Sequence, residues 1–166
     1  MIIFNIPGKI KGKGRARFTN AGKFMMAYTP KDTVNYENWV KYCYLKDNKQ
    51  DPHERPVYMC AFADFARPKA HYTSKGLVKE RHLTEVPIRK PDSDNIIKVI
   101  ADALNGIAYK DDAQIVTLLL EKRYSESLEE GVKVILANSV DEMFDALLLK
   151  EVQANESKEE NDDTDI

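Results

Sequence analysis

From Asn95 to Leu104 the apolar residues Ile96, Val99, Ile100, Ala103 and Leu104 recur at i, i+3, i+4, i+7 and i+8, the stripe of a helix that packs one side on a core. A strand could not gather that set on one face. Gly106, just past Asn105, suits the left-handed residue that often ends a helix, and Asp94 or Ser93 suits its cap. Upstream the period differs. Pro91 with the alternating Asp92 and Asp94 suits an extended segment, in which residues two apart project to one side, roughly 6 to 7 Å apart. The two carboxylates are therefore expected to face one point, close to the polar stripe formed by Asn95, Lys98 and Asp102.

A loop and turn after Gly106 carry the chain to Asp111 and Asp112, ahead of a strand expected over 114–124. A turn that returns beside the helix start would add a third carboxylate to the pair. Three carboxylates and a lysine around one point suit Mg2+, a hard cation that uses few carboxylates and completes its shell with water and phosphate. The matching chemistry is metal-assisted phosphodiester hydrolysis. Spacing leaves a plainer reading standing, because Asp also caps helices and bends chains, and Lys98 with Asp102 also suits a surface ion pair worth a few tenths of a kcal/mol. An EF-hand fits badly: with Asp92 in first position, its glycine would fall on Ile97 and its bidentate glutamate on Ala103.

The run KPDSDNIIKVIADALNG followed by DDAQI, from Lys90 to Ile115, resembles the RusA family of Holliday-junction resolvases, whose pattern is approximately KPDxDNxxKxxxDALxG, a short spacer, then DDxQ. Weaker similarity runs from Ile2 to about Leu136, including the IPG turn and the RPV strand that ends in RPK. The resemblance implies an α+β single domain, a small mixed β-sheet packed against two main helices, assembled as a homodimer. It implies a metal-dependent endonuclease that cuts four-way DNA junctions by paired nicks in recombination and repair, with Mg2+ as cofactor, Mn2+ as its substitute, and no small-molecule cofactor. Carried over by position, Asp92, Asp94 and Asp112 are the metal-binding carboxylates and Lys98 is the lysine needed for cleavage. Asn95, Asp102 and Asp111 take supporting roles. A phage or prophage source, and so the cytoplasm of a bacterial host, goes with it. The rivals are a non-catalytic branched-DNA-binding protein and a nuclease for flaps and forks.

Charge is unevenly placed. The formal net charge is -2, yet residues 1–123 hold 22 Lys and Arg against 14 Asp and Glu, a net of +8, while residues 151–166 hold 1 Lys against 7 acids, a net of -6. A basic body suits a polyanionic partner. Lys9, Lys11, Lys13, Arg15 and Arg17 alternate with small or apolar residues and, in an extended ribbon, share one side; Gly12 and Gly14 allow close backbone approach to phosphate. A second basic stretch runs from Arg67 to Lys90, with Arg67, Lys69, Arg89 and Lys90 as candidate DNA contacts and only Glu80 and Glu85 opposing them. It is expected to be an exposed loop or short helix leading into the site. His71 and His82 fall in no recognisable pair and read as surface histidines.

The remaining elements follow from pattern. Ile2 to Ile6 is a strand stopped by Pro7 and Gly8, and Asn20 to Gly22 a hairpin turn into a strand over 23–28. Thr29 and Pro30 are expected to open a helix to about Asp47, with Tyr36, Val40, Cys43 and Tyr44 on its core face and Trp39 alongside. Val57 to Phe65 reads as a strand, and 114–124 with 132–137 as a hairpin packed beside the Asn95–Leu104 helix. Cys43 and Cys60 have no metal-ligand spacing and are expected as buried free thiols. There is no apolar run long enough to span a membrane and no signal-like start, because Lys9 to Arg17 interrupts the N-terminal apolar stretch; a soluble intracellular protein is expected. The divisions expected are a nuclease domain over 1–138, a short amphipathic helix over 139–152 with Met143, Phe144, Leu147 and Leu148 as its apolar face, and an acidic disordered tail over 153–166.

Overall fold

The run Val57–Phe65 is apolar on both sides, so it has no face to offer water and needs hydrogen-bonded neighbours on both edges. In the computed structural model of the protein, which describes residues 1–21, 24–125 and 129–148, it lies inside a four-stranded sheet. In chain order the strands are β1 (Ile2–Pro7), β2 (Arg17–Ala21), β3 (Phe24–Tyr28), β4 (Val57–Phe65), β5 (Ile115–Tyr124) and β6 (Gly131–Ala137). The helices are α1 (Lys31–Asp47), α2 (Ser93–Leu104) and α3, whose described part is residues 140–148. Three short 3-10 turns, Lys69–His71, Glu80–His82 and Asp112–Gln114, mark the connections.

The sheet order is β1-β6-β4-β5. β4 runs parallel to β5 from Val57↔Ile115 to Phe65↔Tyr124 and antiparallel to β6 from Tyr58↔Ala137 to Asp64↔Gly131, while β1 pairs antiparallel with β6. The expected α+β class with a mixed sheet and two main helices is what forms. The expected hairpin of β5 with β6 does not: β4 lies between them. β2 and β3 make a separate two-stranded hairpin.

α1 and α2 cover one face of the sheet. Ile2, Phe4 and Ile6 of β1, Met59, Ala61 and Ala63 of β4, Tyr36, Val40 and Tyr44 of α1, and Ile96, Val99, Ile100 and Leu104 of α2 close into one core. Each of the four α2 side chains is fully buried, which contributes roughly 1.5 to 3 kcal/mol per side chain for residues of this size. The opposite face is covered by α3, where Met143 and Ala146 meet Cys60, Phe62, Ile135 and Ala137. The apolar face of α3 is thus narrower than expected, because Phe144 and Leu148 stay 50% and 59% exposed. Both cysteines are buried and neither is in a disulfide. The tail over 153–166 lies outside the described residues.

Two helix starts differ from expectation. Helix α2 begins at Ser93, so Asp94 stands in the first helical turn and only Asp92, at the N-cap with φ -72° and ψ 150°, keeps extended backbone. Acidic side chains suit the positive end of the helix dipole, so the helix can take them in rather than start after them. Helix α1 is preceded by Pro30 with no side-chain cap bond. Thr29 does not cap it.

Candidate active site

The approach to α2 is built by main-chain contacts that leave side chains over for chemistry. A cis peptide joins Lys90 to Pro91. On β5, the Lys122 ammonium donates to the carbonyls of Arg89 and Pro91, the latter at 3.1 Å, tying the strand to the residues just before Asp92. The Asp92 main chain then accepts the first helical bond, from Ile96 N at 3.0 Å. Its own carboxylate makes no cap bond. Asp94 accepts from Asn95 Nδ2 at 3.3 Å, and both acids are exposed, as is Lys98 one turn further along. Among the described residues the Asp92 carboxylate and the Lys98 ammonium have no hydrogen-bond or ion-pair partner.

Asp112 stands on a turn whose sequence explains it. Asp111 accepts from Ala113 N at 2.8 Å while Gln114 Oε1 accepts from Asp111 N at 2.9 Å, a reciprocal capping box. Gln114 Nε2 also donates to the carbonyls of His53 and Arg55, both at 2.9 Å. Asp111 therefore shapes the turn and Asp112, next to it, is left exposed. Asp112 stands close enough to the Tyr109 phenol to act on it electrostatically. The phenol of buried Tyr109 donates to Ala101 O at 2.7 Å, and its pKa is raised first by burial and then by the negative charges of Asp112 and Asp102.

Asp102 has a partner that sequence spacing did not suggest. Lys13 bridges Asp102 Oδ2 and Glu37 Oε1, each at 2.6 Å, in place of a Lys98–Asp102 pair. Burial works against the Lys13 charge, but the hydrogen bonds and charges of the two carboxylates outweigh it and raise the ammonium above the usual lysine range. This cation of the basic ribbon is thus turned inward, and it ties the ribbon to both helices. The ribbon lies on the start of α2: Lys13 N donates to Asn95 O at 2.7 Å, and a Cβ placed on Gly12 would stand 2.9 Å from the Cβ atoms of both Asn95 and Pro91. Only glycine fits that contact without displacing one of them.

The other candidate DNA contacts divide. Lys9, Arg15, Arg17, Lys69 and Lys90 are exposed and Lys11 is half-buried. Arg67 and Arg89 hold the loop instead: Arg67 donates to His82 O and lies over the Tyr124 ring, and Arg89 donates to Ala66 O at 3.1 Å and Glu130 Oε1 at 2.8 Å. Lys9 and Lys11 also line a shallow groove with Pro7, Asn35, Tyr36 and Trp39. Trp39 is outside the core that Tyr36 and Val40 enter; its indole donates to Pro7 O at 2.9 Å and it stacks on Tyr42. Burial pushes the Tyr36 phenol up to about 12.

The two histidines are not isolated surface residues. His71 and His82 stack at 4.0 Å between ring centroids, with Glu85 against both. Burial, and then the neighbouring His82, hold the His71 imidazole below its usual range.

An exposed acidic pair and a lysine thus stand at the start of a core helix, with a basic ribbon laid across it. The family model described as Endodeoxyribonuclease RusA matches residues 7–137, and the chain belongs to that family. It is also similar to the uncharacterized protein YqaN of Bacillus subtilis (strain 168), with 41% identity over 71 residues, which is 43% of this chain and 44% of that relative. The match thus spans less than half of either chain.

Proposed function

We propose that this protein is a Mg2+-dependent, structure-specific endodeoxyribonuclease that resolves four-way DNA junctions by paired nicks, acting as a homodimer. The observation that carries the reading is the uncommitted Asp92 carboxylate and Lys98 ammonium at the exposed start of α2 in a chain of the RusA endodeoxyribonuclease family. Family membership supports the nuclease activity.

The donor set fits a hard cation. Asp92, Asp94 and Asp112 offer exposed oxygens, and they are not drawn into a tight cluster among the described residues. Mg2+ tolerates that, because it binds through one or two carboxylates and keeps several waters. These three residues would hold it, and when bound it supplies a water of lowered pKa and charge stabilisation at phosphate. Lys98 lies on the same side of α2 and neutralises charge that develops on the phosphoryl oxygens. Lys122 and the capped Asp111 turn keep Asp92 and Asp112 in place. Lys9, Lys11, Arg15 and Arg17 hold the backbone of the DNA arms, which carries no base information. Paired nicks on opposed strands require two sites related by a two-fold axis, hence a symmetric dimer.

A substrate panel tests the reading: a mobile synthetic four-way junction, a matched linear duplex, a flap and a fork, each with Mg2+ and with EDTA. Metal-dependent symmetric nicks confined to the junction are expected. Preferential cutting of the flap would change the substrate, and junction binding with no cleavage in Mg2+ or Mn2+ would make the protein a non-catalytic binder.

A further inference from the structure

The connection between β4 and α2, residues 66–92, has little regular structure, yet three of its side chains converge. His71 closes the turn Lys69–His71 and His82 the turn Glu80–His82. Their imidazoles lie nearly parallel, 6° apart, with centroids at 4.0 Å. Glu85 reaches back between them: Oε1 stands 2.9 Å from His82 Nδ1 and Oε2 3.6 Å from His71 Nδ1. The ligand atoms of the three all lie within 4.8 Å of one another. Both Nδ1 atoms are buried; Glu85 accepts a hydrogen bond from His82, while His71 Nδ1, 3.6 Å from the carboxylate, has no hydrogen-bond partner. A buried polar nitrogen without a partner costs free energy unless something else satisfies it.

We propose that His71, His82 and Glu85 form a binding site for a transition-metal dication of the zinc class, separate from the acidic residues at the start of α2, which pins the 66–92 connection in place. Two imidazole nitrogens and one carboxylate oxygen are the ligand chemistry of Zn2+ and its neighbours, whereas the oxygen-only acids of α2 suit Mg2+. Three protein ligands leave one position for water, and Glu85, with a side chain 45% exposed, keeps that side open. The site fastens two turns that sequence separates. His71 also meets Tyr124 of β5 edge-on at 5.7 Å, so a loaded site would anchor the connection to the sheet.

The geometry sets what binding must change. Parallel rings cannot both aim a lone pair at one ion, so loading tilts one imidazole out of the stack. Arg81 Nε lies 3.1 Å from His82 Nε2 and donates to it. A neutral imidazole that binds metal through Nδ1 carries its proton on Nε2, so Arg81 moves off as the ion enters. The proposal does not depend on the nuclease reading.

The test is titration of the chelator-stripped full chain with Zn2+ and Co2+ in millimolar Mg2+, against a competing chromophoric chelator. The proteins compared are wild type, Asp92→Asn/Asp94→Asn, His71→Ala/His82→Ala and Glu85→Gln. One equivalent of Zn2+ per chain is expected in wild type and in the aspartate variant, with Co2+ giving visible absorption bands of a low-coordinate nitrogen-ligated ion. Affinity falls by about tenfold or more in Glu85→Gln, and the cobalt bands vanish in the histidine variant. Zinc also slows tryptic cleavage between Arg67 and Lys90 in wild type. Should the histidine variant fail to fold, the ring-nitrogen NMR signals of wild type still decide: both histidines shift to the Nε2-protonated form on Zn2+ addition. Retention of the cobalt bands in the histidine variant, their loss in the aspartate variant alone, or unmoved ring nitrogens would overturn the site.

Discussion

Lys98 and Lys13 sit on neighbouring elements and carry the same charge, yet their surroundings give them opposite tasks. Lys13 is spent on Asp102 and Glu37, so it fastens the ribbon; Lys98 has no partner among the described residues, so its charge is available to a phosphate. Lys98→Ala should leave the melting temperature nearly unchanged and lower the single-turnover cleavage rate by about 100- to 1,000-fold, the scale of removing one preorganised donor to developing charge. Normal cleavage by Lys98→Ala would remove it from the chemistry. Lys13 and Tyr36 also predict a pH response. Both have folded pKa values raised above their unfolded ones, Tyr36 to about 12. The folded state therefore binds their protons more tightly, so their contribution is complete below about pH 10 and fades as pH rises through the folded values. Denaturant midpoints at stepped pH should fall on the alkaline side of pH 10, and Lys13→Met should flatten part of that fall.

Helix α2 was legible in the sequence because one stripe of its period is wholly apolar, and the structure buries that stripe as the spacing requires. The partner of β5 was not. β5 and β6 are consecutive strands, and sequence separation favours pairing them, but β4 is apolar on both faces and takes the central place between them. The inward turn of Lys13 was equally hidden, because alternation suggests a shared side only where the backbone is regular, and residues 8–16 form no strand. The pairing of His71 with His82 depends on how an irregular connection folds back, which no period records. Gly12 did carry a signal: a glycine beside the basic residues pointed to close approach, although its neighbour here is α2 rather than phosphate. Gly12→Ala should cost about 1 to 3 kcal/mol in chemical denaturation through overpacking against Asn95 and Pro91. It should also depress cleavage, because the start of α2 moves.

Across the whole molecule the basic ribbon, the α2 start and the Asp112 turn sit on the β1, β4 and α1 scaffold, while α3 closes the other face of the sheet with contacts of its own. No helix among the described residues is long and apolar enough to cross a membrane. Binding through phosphate contacts makes affinity depend steeply on salt: log K should fall linearly with log salt, by about 0.9 per phosphate neutralised on duplex arms. Replacing exposed Arg17 with Ala should reduce that slope by about 1 unit, whereas Lys13→Met should leave the slope unchanged because its charge faces Asp102 and Glu37. A salt-independent affinity would exclude phosphate as the main contact.

In the proposed mechanism the Asp92 carboxylate, left free at the N-cap of α2, takes part in phosphodiester hydrolysis. The most direct measurement is single-turnover cleavage and equilibrium binding of one synthetic four-way junction, in Mg2+, by wild type and Asp92→Asn. The variant is expected to fold, to bind the junction as tightly as wild type or tighter because a negative charge near phosphate is gone, and not to cut it. Cleavage by Asp92→Asn at the wild-type rate would remove Asp92 from the chemistry.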